Sequence, residues 1–74
     1  MDILSKDRAN LLLDISAVLS TTNTFVTGLQ GTSTSDGYSV IHLEVRIRDA
    51  QQLQSLMNKL NQVAGVLKVT RPTG

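Results

Sequence analysis

One segment limits the fold more than any other. Ile41, Leu43, Val45 and Ile47 alternate with His42, Glu44, Arg46 and Arg48 in a strict period of two. Successive side chains of a strand point to opposite faces, so this pattern predicts a strand with one buried and one wet face. Antiparallel sheets tolerate a face in water, whereas parallel sheets are covered on both sides. The segment therefore belongs to an antiparallel sheet with a single covered face.

Two stretches can cover it. Leu11, Leu12, Ile15, Val18 and Leu19 recur at three- and four-residue intervals, the stripe of an amphipathic helix over about residues 9–20, with Asp7 as its N-cap. Leu53, Leu56, Met57, Leu60 and Val63 mark a second helix, capped by Asp49 and closed by Gly65 at C′. Strands are expected at residues 1–5, 24–32 and 66–71, the last stopped by Pro72. Residues 33–37 end in Asp36-Gly37, where glycine tolerates the positive φ of a hairpin turn. Right-handed crossovers place both helices on one side. The fold class is thus α+β: a ferredoxin-like βαββαβ sandwich, a four-stranded antiparallel sheet with two helices on one face. Within the second strand, period two groups Phe25, Thr27 and Leu29 as the more apolar, core-facing set, while Gly28 and Gly31 weaken the strand or mark a bulge.

Composition narrows function by exclusion. At 74 residues the chain is one small domain, and with 3% aromatics its core is aliphatic. The absence of cysteine removes disulfide frameworks and thiol chemistry. No apolar run exceeds three residues, so neither a membrane span nor a signal peptide is expected. Seven basic against six acidic residues give +1, far from a nucleic-acid footprint. An RNA-binding ferredoxin-like domain would also want aromatic stacking platforms that the central strands lack. His42 is the lone histidine, with no second histidine or cysteine to share a metal, and the glycines follow no phosphate-cradling spacing. Ser5 and Ser16 have no histidine nearby in sequence. No catalytic residue, metal or cofactor is expected.

The run Asp7-Arg8-Ala9-Asn10-Leu11-Leu12-Leu13-Asp14-Ile15 resembles the Asp-Arg-x-Gly-Leu-Leu-x-Asp-Ile start of an ACT domain. The resemblance continues through residues 23–29, the long strand into Asp49-Ala50-Gln51-Gln52-Leu53, and the closing residues 59–71. The Asp-Arg motif together with Gly65-Val66, Val69 and Arg71 is most similar to the domain ending RelA/SpoT-type (p)ppGpp synthetases and hydrolases, the GTP pyrophosphokinases. Asn10 departs from the family glycine and adds a side chain where a ligand would dock. The family register also turns Val26 towards the helices, against the periodicity reading of Phe25.

The resemblance implies a single regulatory domain over residues 1–74, a fragment of a longer bacterial, cytoplasmic, multidomain protein. The first strand looks shortened, in keeping with that. It implies no turnover by the fragment, the transfer of pyrophosphate from ATP to GTP being done elsewhere in the parent during the stringent response. Partners would be other domains of the parent, a second copy in a homodimer, and the ribosome through the parent. The alternative is an amino-acid-sensing ACT domain of a biosynthetic enzyme. In either case Asp7, Arg8, Asn10 and Leu11 stand where ACT relatives hold an amino acid, and Asn10 argues for weak or no binding of a free one.

Overall fold

The computed structural model describes residues 1–71, so the expected stop at Pro72 lies outside the described residues. Its elements are β1 (Asp2–Lys6), α1 (Leu11–Thr21), β2 (Phe25–Ser33), β3 (Tyr38–Arg46), α2 (Ala50–Asn61) and β4 (Val66–Thr70). The strands pair antiparallel throughout in the order β2-β3-β1-β4. Both helices pack on one face, giving the ferredoxin-like sandwich that the alternation required.

Ile41 and Leu43 are fully buried, Val45 and Ile47 pack partly buried against the same core, and His42, Glu44, Arg46 and Arg48 are exposed. Ile3 from β1, Met1 just ahead of that strand and Val69 from β4 join them. The helices contribute Leu11, Ile15 and Leu19, four apart on α1, with Leu56 and Leu60 on α2. Leu12, placed on the stripe by its spacing, is half exposed beside the β2 edge.

Helix ends follow local chemistry, with two corrections. Asp49 caps α2 as expected, its carboxylate accepting from the Gln52 N–H at 2.7 Å. Asp7 does not cap α1. Its own N–H donates to the Gly37 carbonyl, and the helix begins only after Asn10, which sits left-handed at φ 66° without a side-chain cap. α1 closes in a Schellman arrangement: Asn23 at φ 53° donates to Ser20, and Thr24 donates to Leu19. The second correction concerns Gly65. α2 ends at Asn61, and Gly65, at φ +92°, belongs to a separate turn closed by the Val66 N–H on the Val63 carbonyl.

β2 also departs from the periodicity reading. Val26 pairs Val45 but Gly28 pairs Glu44, so Thr27 is an extra residue in a bulge. The slip puts Phe25 opposite Arg46, whose guanidinium carbon lies 5.2 Å from the ring centroid, and Leu29 opposite buried Leu43. Phe25 is 63% exposed and is not core. Val26 and Leu29 take the helix side, as the family register has it.

Candidate functional site

The connection from β1 to α1 is tied down on two sides. Lys6 donates from its backbone to the Gly65 carbonyl at 2.9 Å, and Asp7 to the Gly37 carbonyl at 3.0 Å. The β1–α1 loop is thereby fastened to the α2–β4 turn and to the tip of the β2–β3 hairpin.

Arg8 completes the fastening. Its Nε donates to the Ala64 carbonyl at 2.6 Å, and its two terminal nitrogens reach the Ala9 carbonyl and the Asp14 carboxylate at 2.9 and 2.7 Å. Gly65 supplies the φ of +92° that this turn needs, and a Cβ there would stand in close contact, 3.4 Å from both Arg8 Nε and Ser5 Oγ. The exposed Arg8–Asp14 pair adds little energy by itself. What it does is help hold the guanidinium on the Ala64 and Ala9 carbonyls of two segments. The spacing of Asp7-Arg8 to Asp14-Ile15 has a physical reading: Asp14 orients Arg8 while Ile15 anchors the same turn in the core.

All four expected site residues, Asp7, Arg8, Asn10 and Leu11, line one open cleft of about 380 Å³. They do so in different capacities. Arg8 has its guanidinium engaged by the protein, Leu11 is buried, and Asn10 opens the helix. No side chain caps α1, so its first-turn N–H groups lack a side-chain acceptor at the end of the helix that lines the cleft, where the dipole favours negative charge. The opposite wall was not foreseen. It consists of Gly31, Ser33 and Ser39 from the hairpin, and Leu12 and Leu13 extend the lining along α1. Gly31 carried no signal of this wall, since a Cβ there would lie at ordinary contact distance, 3.8 Å from the Leu12 side chain.

On the outer face of the sheet, His42 Nδ1 lies 2.7 Å from Asp2 Oδ1, and its Nε2 lies 3.7 Å from Glu44 Oε1. All three side chains are exposed. No helix among the described residues is long and apolar enough to cross a membrane.

A βαββαβ sandwich whose Asp-Arg loop meets a helix N-terminus defines the class, and the ACT domain family model matches residues 1–71. The chain belongs to the ACT domain family. Among solved structures it is similar to the ACT domain from GTP pyrophosphokinase of Chlorobium tepidum. The solution structure of that domain aligns at 26% identity and a TM-score of 0.82, covering 99% of this chain and 82% of the other. Its crystal structure aligns at 26% identity and a TM-score of 0.77, covering 89% and 84%. An uncharacterized protein from Thermotoga maritima shares the fold at 22% identity and a TM-score of 0.67, covering 89% and 82%. A search of curated proteins returns no match.

Proposed function

We infer that this chain is the regulatory ACT domain of a cytoplasmic (p)ppGpp synthetase/hydrolase, carrying starvation signals to catalytic domains elsewhere in its parent through contacts with protein or ribosome. The observation that carries this reading is the likeness, along nearly the whole chain, to the ACT domain of a GTP pyrophosphokinase. The test is a chimera in which this chain replaces the ACT domain of the Chlorobium tepidum enzyme, with (p)ppGpp measured in fed and starved cells. The chimera should restore the starvation response that deletion of the domain disturbs. Output identical to the deletion, from a chimera that is soluble and folded, rejects the reading.

A second reading, amino-acid sensing, is favoured by one observation: the first turn of α1 lacks a side-chain cap where it meets the cleft. A bound carboxylate would satisfy those donors. Arg8 is a poor helper there, because its guanidinium is already engaged at Ala64, Ala9 and Asp14.

A further inference from the structure

The turn joining β2 to β3 contains Asp36-Gly37, and no other glycine of the chain follows an aspartate or asparagine. The Thr34 N–H donates to the Tyr38 carbonyl at 2.8 Å and closes the turn around Ser35, Asp36 and Gly37. Three details favour attack by the Gly37 nitrogen on the Asp36 side chain. Gly37 has no Cβ, and nothing lies within 4 Å of where one would begin. Its N–H reaches the Thr34 carbonyl only at 3.4 Å, so the nitrogen is loosely held. The Thr34 hydroxyl donates to Asp36 Oδ1, an oxygen on which charge builds as Cγ is attacked. Asp2, Asp7, Asp14 and Asp49 are each followed by a residue whose Cβ crowds that nitrogen.

We propose that Asp36-Gly37 is a site of spontaneous isoaspartate formation, and that this modification releases the β1–α1 loop. In the first step the Gly37 nitrogen bonds to Cγ of the Asp36 carboxylic acid. The carboxyl hydroxyl leaves with the amide hydrogen as water, which closes a succinimide ring. Water then opens the ring at either carbonyl. Opening at Cγ restores aspartate, whereas opening at the main-chain carbonyl leaves the backbone running through Cβ and Cγ. One water leaves and one returns, and nothing is oxidised or reduced. The isoaspartate link is longer than the native one by a methylene group. Loop length selects the geometry of a hairpin turn, so the longer link displaces what Gly37 presents. That group is the Gly37 carbonyl, which accepts from the Asp7 N–H at 3.0 Å. Lys6 and Arg8 keep their own holds on the Gly65 and Ala64 carbonyls, so the loop comes free on its hairpin side alone. Ageing of one exposed turn is thereby transmitted to the cleft.

Prolonged incubation of the purified chain at neutral pH tests this. An isoaspartyl methyltransferase then transfers methyl groups from S-adenosylmethionine to the freed α-carboxylate, and peptide mapping locates them. Label should accumulate with time in the peptide that holds Asp36. Amide exchange of the aged chain should rise several-fold at Asp7 and stay unchanged at Lys6, whose acceptor is Gly65. Asp36→Glu keeps the charge but must close a larger ring, which forms far more slowly. It should take no label and keep the exchange rates of its own fresh sample. Asp36 is exposed, and circular dichroism shows that the variant folds. Three results overturn the proposal: an aged chain without label at Asp36, a labelled chain that exchanges at Asp7 as the fresh one does, or equal loosening of Asp36→Glu on ageing.

Discussion

Gly65 and Gly37 both hold positive φ, +92° and +88°, but only Gly65 has neighbours where a side chain would begin. Alanine at Gly37 meets open space and should cost only the backbone penalty, about 1 kcal/mol. Alanine at Gly65 adds contacts at 3.4 Å with Arg8 and Ser5, so it should cost more and loosen the loop that Arg8 holds. Thermal melts give the two costs, and amide exchange over residues 6–14 reports the loop. Equal costs with unchanged exchange would show that Arg8 does not depend on Gly65. The central strand allows a sharper contrast. Leu43 has no exposure and Glu44 is wet, so Leu43→Asp strands a charge in the core and should unfold so small a domain, while Glu44→Ala should shift the melt little.

Elements were legible where local chemistry alone decides them. Asp49 ahead of an apolar stripe made α2 readable, and the alternation of β3 survived because the extra residue in its pairing with β2 sits on β2 while β1 pairs with β3 in unbroken register. Two features were hidden because distant groups decide them. The start of α1 reads locally as a capped helix from Asp7, but Gly37 takes the Asp7 N–H and Ala64 takes Arg8, which delays the helix to Leu11. In β2 the bulge at Thr27 moves Phe25 and Leu29 to opposite faces, and an unbroken period of two cannot show that. The caps separate these cases experimentally. Asp49→Ala should cost about 1 kcal/mol through loss of the Gln52 bond, whereas Asp7→Ala should leave helix stability nearly unchanged. Chemical denaturation of both variants checks this, and an equal loss at Asp7 would return the cap to that residue.

At the scale of the whole molecule, the sequence named one wall of the cleft and missed the other. Asp7, Arg8, Asn10 and Leu11 are consecutive enough to carry a motif, while Gly31, Ser33 and Ser39 come into place only when the hairpin folds against α1. The completed cleft explains why a free amino acid should bind poorly. Helix N–H groups at α1 can receive a carboxylate, but the nearby cation, Arg8, already commits three of its five N–H donors to the protein. Asn10 also adds its side chain to the cleft lining, and the cleft is open to water, which weakens any ion pair made there. Binding should therefore be millimolar or absent, about −4 kcal/mol at best. Amide chemical-shift titration with branched-chain amino acids measures it. Small, unsaturated shifts at residues 7–12, or none, are expected, leaving the domain's role to macromolecular contacts. Saturation at micromolar ligand, with shifts also at Gly31 and Ser33 across the cleft, would instead establish the loop as a sensor and displace the stringent-response reading.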